Sequence, residues 1–303
     1  MPAKRGSQHR LGIILETIYG TTPATPAMTE LPITRLRKNK SMGAIRSAQI
    51  RSHPFLDRML PGAKTQDLEI GAELQPGNHD VLLQMLAGQA WNANVLKIGD
   101  ALLGATMESR SGPAPVLYDQ FIGCFVNRFE ITISADEESP VGVTFGFGAL
   151  TSELDATTSL ATTTPAAVDV DPYVYTQGLT ELAGVARPVT SITFRAERTV
   201  DPLRVIGSRD PRENVPGDFT VTGSITTPFE DGVESGILEA FTTVPIHVRL
   251  GSTTFLDFLI PSVKYTSLGR SVEGRGALMQ EIEFEALYNS TQGTILVITR
   301  SAP

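Results

Sequence analysis

Residues 281–286 read Glu-Ile-Glu-Phe-Glu-Ala, so acidic and apolar side chains alternate without interruption. Successive side chains of a β-strand point to opposite faces, and this period of two places every acid on one face and every apolar residue on the other. The same period recurs at residues 67–74, 129–134 and 192–197. The stretch predicts a strand with one buried face, and its recurrence predicts an all-β fold.

Only two stretches depart from this period towards a helix. Residues 78–87 and 234–241 begin one and two residues after a glycine and carry apolar residues at spacings of three and four, which is typical of a short amphipathic helix. The sequence therefore predicts a sheet protein with one short helix in each half.

The two predicted helices lie in segments that repeat. Residues 56–86 align without gaps on residues 211–241, with six identities in thirty-one positions. The identical pairs are Pro61/Pro216, Gly62/Gly217, Thr65/Thr220, Ile70/Ile225, Gly77/Gly232 and Leu83/Leu238. Residues 147–150 also resemble residues 284–287, at a different offset. The pattern predicts two copies of one β-rich unit.

Composition sets the expected boundaries of these units. Residues 1–30 combine a short apolar segment with a Pro- and Thr-rich run and predict an extended N-terminal arm. Residues 151–184 begin with a Thr- and Ala-rich stretch that is typical of a connector. We therefore expect the first unit at residues 31–150, a linker at 151–184 and the second unit at 185–303.

The composition also limits the class of protein. The chain has 303 residues, of which 41% are hydrophobic and 19% charged, so it can bury a substantial core. No apolar run reaches the roughly 18 residues that cross a bilayer, and the polar start lacks the apolar region of a secretory signal. We expect a soluble protein that folds inside a cell, without membrane insertion. Because Cys124 is the only cysteine, no disulfide within the chain and no Cys/His metal site are expected.

Charge is distributed unevenly along the chain. The first 60 residues hold ten Lys and Arg against three Asp and Glu, whereas the remainder is acidic. A basic end and an acidic body suit a subunit that associates with its own copies, and a solvated basic tail is an equal alternative on charge alone.

No group of residues has the pattern of a catalytic or cofactor site. The segment Gly146-Phe-Gly148 lies inside a predicted strand and lacks the rest of a dinucleotide-binding loop. His79 and His247 are expected to be surface or packing residues and not members of a catalytic triad. The acidic clusters at 136–138 and 169–171 lack the spaced carboxylates of a calcium loop and predict solvated turns. We expect a protein without enzymatic activity, cofactor or metal.

Carboxylates line one face of two predicted strands. The two runs are Asp67, Glu69 and Glu73 in the first unit and Glu281, Glu283 and Glu285 in the second. Side chains two apart on a strand lie roughly 7 Å from each other, so these acids need water and ions to screen their repulsion. An ordinary solvated sheet face would explain one such run. Two runs in a chain with few charges favour a functional acidic surface.

Four segments, taken in order, share a turn and strand pattern with a known family. They are Glu16-Thr-Ile-Tyr-Gly-Thr-Thr-Pro, the stretch from Leu203 to Thr226 with its Gly-Ser-Arg-Asp-Pro, Pro-Gly and Val-Thr-Gly motifs, Leu259–Tyr265, and Phe284–Tyr288. These are turn and strand motifs and not chemical ones, so their order carries more information than any one of them. Over nearly the whole chain they resemble the tail tube (major tail) proteins of long-tailed bacteriophages.

The resemblance implies a structural role. It implies β-sandwich units with a flanking helix, whose sheets join around an axis into the inner β-barrel of a ring, and rings that stack into the tube through which DNA leaves the capsid. The six acids are then expected to face the lumen, because an acidic wall offers phosphate groups no binding sites. Two units per chain favour rings of three chains with pseudo-six-fold symmetry, with hexamers as the alternative.

The resemblance also implies further contacts. The tape measure protein, the tail terminator and the distal tail proteins are expected partners, and double-stranded DNA is expected to pass without specific binding. The protein is expected in the virion tail after assembly in the bacterial host cytoplasm, with its N-terminal arm ordered on a neighbouring subunit or ring. The residues expected at contacts between subunits or rings are Tyr19, Pro23, Arg35, Arg37, Lys38 and Lys40.

Two other classes of protein stay open at this point. A carbohydrate-binding or virion-decorating β-sandwich would also be acidic and non-catalytic, but it should expose aromatic residues, and the single tryptophan, Trp91, is expected to pack beside the first helix. A glycosidase needs a carboxylate pair with one raised pKa, which evenly spaced acids on open strands do not provide. Open-ended stacking distinguishes a tube protein from both.

Overall fold

The computed structural model describes residues 5–49, 55, 58–112, 114–135, 138–272 and 276–301, and strands dominate it. Two α-helices occur in these residues, α1 (Asp80–Ala87) and α2 (Val233–Glu239), with 3-10 turns at Gly6–Gln8 and Tyr175–Gln177. The strands are β1 (His9–Leu15), β2 (Thr29–Glu30), β3 (Arg35–Arg46), β4 (Met59–Glu73), β5 (Val95–Lys97), β6 (Ala105–Ser111), β7 (Leu117–Ser134), β8 (Gly142–Gly148), β9 (Thr151–Ala156), β10 (Leu179–Leu182), β11 (Val185–Ala186), β12 (Ser191–Leu203), β13 (Glu213–Pro228), β14 (Val244–Leu250), β15 (Leu256–Ser271), β16 (Met279–Ala286) and β17 (Val297–Arg300). The predicted all-β fold with two short helices is confirmed.

Eight strands form one continuous antiparallel sheet in the spatial order β3-β4-β8-β7-β12-β13-β16-β15. The first four strands come from the first half of the chain and the last four from the second half. The pairing of β7 with β12 joins the two halves. Within the described residues, β3 and residues 264–271 of β15 have no strand neighbour on their outer side.

Strands β7 and β15 continue beyond this sheet into a second layer. There β7 lies in the order β2-β1-β6-β7-β9, and β15 lies in the order β11-β10-β14-β15-β17-β5. Phe258 of the second layer packs against Phe129 and Phe194 of the eight-stranded sheet, with ring centroids 5.9 and 5.3 Å apart. The apolar residues of the alternating pattern thus meet in one core between the layers.

The two halves share their strand order and their irregularities. Strand β6 pairs with β7 as β14 pairs with β15, and the register shifts between Ala105 and Met107 in one pair and between Val244 and Ile246 in the other. A second equivalent shift occurs where β7 and β15 pair with β8 and β16. A bulge shifts a ladder at one definite residue, so these shifts align the two halves residue by residue.

The two helices occupy equivalent places, α1 on β7 and α2 on β15. Apolar residues of α1, among them Leu82 and Leu86, are buried, and the helix ends at Gly88, whose φ of 71° closes the last turn. In α2 the buried residue is Glu234. The predicted helices at 78–87 and 234–241 are confirmed, with ends shifted by one or two residues. Among the described helices, none has the length and apolar character that would span a membrane.

Two segments expected to lie outside the units contribute strands. Strand β1, from the expected arm, pairs with β6 over its full length, and its residues Leu11 and Ile13 are buried in the core of the same chain. These residues are therefore ordered on their own chain, which differs from the expected ordering on a neighbour. The expected linker contains β9 and β10, which pair with β7 and β14. Partner strands distant in the chain stabilise these short segments, and local composition does not show such partners.

Candidate functional site

The eight-stranded sheet has an apolar face that belongs to the core and an opposite face, called the polar face below, that carries all six predicted acids. Each carboxylate lies opposite a glycine or a hydroxyl residue of the neighbouring strand. The opposed pairs are Asp67/Gly148, Glu69/Gly146, Glu73/Gly142, Glu281/Thr226, Glu283/Ser224 and Glu285/Thr222. The ladder thus keeps the acids of each run away from further acids across the strand.

The structure does not bring the two runs of acids together. Strands β8, β7, β12 and β13 separate β4 from β16. With neighbouring strands about 4.8 Å apart, the two acidic strands lie roughly 24 Å from each other along the sheet. The acids of β16 are exposed, as are Asp67 and Glu73, whereas Glu69 is half-buried. The polar face therefore carries two separate acidic strands, one in each half of the chain.

Three arginines surround the carboxylate of Glu69. Arg128 of β7 donates a hydrogen bond to Oε2 at 2.7 Å, while Arg35 and Arg37 of β3 lie 2.8 and 3.9 Å from Oε1. Arg128 comes from the far side of β8 and passes over Gly146, where an added Cβ would lie 3.1 Å from the Cβ of Arg128 and displace it. Glu69 is therefore the centre of a cationic cluster and not a free anion.

The contact between the two halves adds four charged residues that the sequence analysis did not assign to the site. Arg128 lies opposite Glu197, and Glu130 lies opposite Arg195, where β7 meets β12. Both strands contain an Arg-x-Glu pattern, but only the register shows that the two patterns face each other. The ion pairs of the two arginines lie elsewhere, between Arg128 and Glu69 and between Arg195 and Glu197 of its own strand, so the junction places opposite charges side by side without pairing them across the ladder.

Among the described residues, carboxylates outnumber guanidinium groups on the polar face. The carboxylates are Asp67, Glu69, Glu73, Glu130, Glu197, Glu281, Glu283 and Glu285, and the guanidinium groups are Arg35, Arg37, Arg128 and Arg195. The arginines lie on β3, β7 and β12, away from the acids of β16, although Lys264 of β15 lies opposite Glu285. Partial burial raises the pKa of Asp67. A hydrated face with an excess of carboxylates repels polyanions.

The four basic residues of β3 that were expected at contacts between subunits divide between its two faces. Arg35 and Arg37 lie on the polar face, with side chains 54% and 73% exposed. Lys38 and Lys40 point to the second layer, where Lys38 forms an ion pair with Asp119 and Lys40 donates to a backbone carbonyl of β9 at 2.8 Å. Both lysines therefore have partners within the chain, and the arginines extend from the free edge.

The loop that contains Tyr19 and Pro23 is attached to its own chain. The carboxylate of Glu16 accepts hydrogen bonds from backbone N–H groups of Gly20 at 2.6 Å and Gly123 at 2.8 Å. The Tyr19 hydroxyl donates to the Gly123 carbonyl at 3.1 Å and accepts from the side chain of Asn214, on β13, at 2.7 Å. Burial raises the pKa of Tyr19 to about 12, so the hydroxyl stays protonated. The loop thus connects the two halves, and Pro23 within it is half-buried.

The remaining polar clusters form no metal site in the part of the chain that the structure describes. In the described ranges, no three His, Cys, Asp or Glu side chains lie close enough to hold a metal ion. Asp136 and Glu137 lie outside the described residues, and Asp169 and Asp171 are exposed. His79 is buried directly before α1, and burial lowers its pKa.

Comparison with known proteins supports an identity for this fold. No curated protein matches the chain in sequence. The family model described as phage tail tube protein matches residues 6–286, which include both acidic strands and the contact between the two halves. The match agrees with the order of turn and strand motifs in the sequence, so the resemblance drawn from them is confirmed. Because the matched region covers almost the entire fold, the chain belongs to the phage tail tube protein family.

Proposed function

We propose that three copies of this chain close into a ring, that rings stack into a tube, and that the polar face lines its lumen as a path for double-stranded DNA. Family membership establishes the general role: the chain is a structural subunit of a phage tail tube and belongs to the virion tail. Contacts with the tape measure protein, the tail terminator and the distal tail proteins, and assembly in the host cytoplasm, are part of the proposal. The eight-stranded sheet, with its two free edges, is the observation that carries it.

The two free edges suit a head-to-tail contact. All neighbours in the eight-stranded sheet are antiparallel, so β3 at one end runs opposite to β15 at the other, and the two can extend the same ladder. A contact between two different surfaces of identical chains generates a closed ring when the rotation closes. Closure also removes both exposed edges, which otherwise promote uncontrolled association.

The internal repeat supports three chains per ring. Each chain supplies two equivalent sets of four strands, β3-β4-β8-β7 and β12-β13-β16-β15. Three chains therefore arrange these sets with pseudo-six-fold symmetry. Six chains would double the number of strands and widen the lumen, because the diameter of a barrel grows roughly in proportion to its strand number.

The polar face is suited to line a lumen. The second layer already covers the opposite face of the sheet, so the polar face is the one that is free to line a channel. Exposed carboxylates keep such a wall hydrated and give DNA phosphates no counter-charge to displace, so the DNA can move without being held. The arginines of β3, β7 and β12 are the exception. Glu69 compensates part of the charge on β3 and β7, and Glu197 pairs with Arg195 of β12.

Electron microscopy in negative stain, with mass measurement of isolated rings, tests the assembly. We expect hollow tubes, and rings with the mass of three chains. Rings of six chains would contradict the trimer and leave the tube function intact. A chain that stays monomeric at high concentration would contradict the proposed function.

Charge reversal tests the lumen assignment. Glu283→Lys/Glu285→Lys places two cations on the polar face, so tubes should form while infectivity falls about tenfold or more, because the wall would bind phosphate. Glu153→Lys/Asp169→Lys makes the same change at exposed positions outside the polar face and is the matched control. Equal infectivity of phages that carry either double variant would contradict the assignment.

A further inference from the structure

We infer that β3 of one copy pairs with residues 264–271 of β15 in the next copy, in the register that β12 and β7 use within the chain. The inference rests on the proposed ring and assigns a partner to each residue of the free edge. Its basis is the internal repeat, in which β15 is the equivalent of β7, and β3 is the equivalent of β12. The partner is therefore a second copy of this chain.

Two shared register shifts align β7 with β15. At the first shift, Cys124 and Val263 occupy the same place in their ladders, and at the second shift Val126 and Tyr265 do so. Both pairs give an offset of 139 residues. All four residues are buried, as expected for equivalent positions.

A shared register shift also aligns β3 with β12. Strand β3 shifts after Met42 in its pairing with β4, and β12 shifts after Arg198 in its pairing with β13. The offset is therefore 156 residues. With this offset, Ser41 of β3 is the equivalent of Glu197 of β12.

The contact between β7 and β12 then supplies the register between copies. Within the chain, Arg128 lies opposite Glu197 and Thr132 lies opposite Thr193. The equivalent pairs, with the residue of β15 first and the residue of β3 in the next copy second, are Ser267/Ser41, Gly269/Asn39 and Ser271/Arg37. Small, uncharged residues thus replace the charge pairs of the internal junction, which leaves space for long side chains over the interface.

On the polar face, the charges at the two edges complement each other in this register. On the opposite face the register sets Arg270 beside Lys38, and each of these cations has a partner within its own chain, Ser235 and Asp119. Cations are in excess around Glu69, and Arg37 is the most weakly held of them, at 3.9 Å with a side chain 73% exposed. Gly269 lies opposite Glu281 in the chain and opposite Asn39 of the next copy, so Arg37 of that copy lies two residues along its strand from the line through Gly269 and Glu281. Nothing lies within 4 Å of a Cβ placed at Gly269, so the guanidinium of Arg37 can reach Glu281 diagonally across it, whereas the arginine of β7 crosses β8 in line. The geometry makes Glu281 the partner of Arg37 in the next copy.

The exposure of α2 supports a neighbouring copy at this edge. Phe241, two residues after the end of α2, is 57% exposed, whereas its repeat equivalent in α1, Leu86, is fully buried. Val233 at the start of α2 is 47% exposed. Because α2 packs on β15 at the free edge, a second copy paired to that edge is what would cover these exposed residues.

Engineered cysteines test the register. Facing Cα atoms of an antiparallel ladder lie about 5 Å apart, which a disulfide can span, and the natural Cys124 is buried. Ser41→Cys/Ser267→Cys changes two exposed serines, and we expect mild oxidation of its tubes to give covalent rings on a denaturing gel. Asn39→Cys/Gly269→Cys tests the same register should the first variant fail to assemble.

Two further variants control the oxidation. Thr132→Cys/Thr193→Cys should form a disulfide within each chain, because the two hydroxyl oxygens lie 3.2 Å apart. Ser41→Cys/Ser271→Cys is displaced by four residues, or about 13 Å, and should not cross-link.

Microscopy of the same samples separates this inference from the proposed function. Intact tubes that cross-link at the facing pair but not at the displaced pair support the register. Intact tubes that cross-link only at the displaced pair, or at neither pair, overturn the register and leave the tube function standing. Absence of tubes from the unsubstituted chain overturns both.

Discussion

Arg128 of β7 donates a hydrogen bond of 2.7 Å to Glu69 of β4, two strands away, by passing over Gly146 of the intervening strand. The backbones of such strands lie roughly 10 Å apart, so the contact needs both a long side chain and a glycine beneath it. Because β7 is also the strand that joins the two halves, this hydrogen bond links the acidic strand of the first half to the internal junction.

Replacing Gly146 by alanine should disrupt this crossing. A Cβ there would lie 3.0 Å from Asn127 Oδ1 and 3.1 Å from Arg128 Cβ, so these atoms would have to move. We expect Gly146→Ala to lower the free energy of unfolding in urea by about 1–3 kcal/mol. Gly142→Ala, on the same strand with nothing within 4 Å of the new Cβ, should change it by less than about 0.5 kcal/mol. Equal effects would contradict the crossing as the cause.

Removing the charge of Glu69 should leave the arginine cluster without its counter-ion. We expect Glu69→Gln to lower the free energy of unfolding by about 1–3 kcal/mol, because hydrogen bonds to a charged, half-buried group are lost. Added NaCl should reduce the loss by screening the repulsion between the remaining guanidinium groups. Glu73→Gln, exposed on the same strand, is the control. A loss no larger than that of the control would show that the cluster does not depend on this charge.

The Tyr19 hydroxyl should stabilise the isolated chain. Tyr19→Phe leaves the Gly123 carbonyl and the Asn214 amide without this partner, so we expect a loss of about 1–2 kcal/mol. In the double variant with Tyr19→Phe, Asn214→Ala should lower the free energy of unfolding by less than it does alone, because both substitutions remove the same hydrogen bond. Thermal unfolding in dilute solution, before assembly, measures the coupling. A loss of thermal stability that appears only in assembled tubes would instead favour a role of the Tyr19 hydroxyl between subunits.

Asp119 should make stability depend on pH. Burial acts to raise the pKa of Asp119, but hydrogen bonds from Lys38 and from the Asp155 N–H, with the charge of Lys38, lower it overall. A carboxyl whose pKa is depressed by folding stabilises the fold above its unfolded pKa, and this contribution is lost as the pH falls through the folded pKa. We expect Asp119→Asn to cost about 1–2 kcal/mol at neutral pH and progressively less in acid.

Denaturant titrations of the unsubstituted chain and of Asp119→Asn, from neutral pH to about pH 3, measure the difference in their free energies of unfolding. The interval crosses the ordinary range of a carboxyl pKa. Asp171→Asn, at an exposed position of the second layer's loops, controls for general effects of acid. A difference between Asp119→Asn and the unsubstituted chain that stays constant across the range would contradict the ion pair with Lys38 as its source.

The sequence by itself determined that the segments of period two form strands and which face of those strands each side chain occupies. Side-chain direction in a strand is a local property with a period of two, so Glu281 and Glu283 are exposed and Ile282 and Phe284 are buried as the pattern predicts. The two helices and the order of turn motifs are equally local, and they were sufficient to predict the family that the chain belongs to.

Only the tertiary structure decided which strands are neighbours. Strand order and register depend on contacts between residues far apart in the chain, and the alternating pattern of one strand is compatible with many partners. For this reason Arg128 faces Glu197, Glu69 becomes the centre of three arginines, and Lys38 turns towards the second layer. Residues 9–15 join the core of their own chain for the same reason, since a strand distant in sequence completes their ladder.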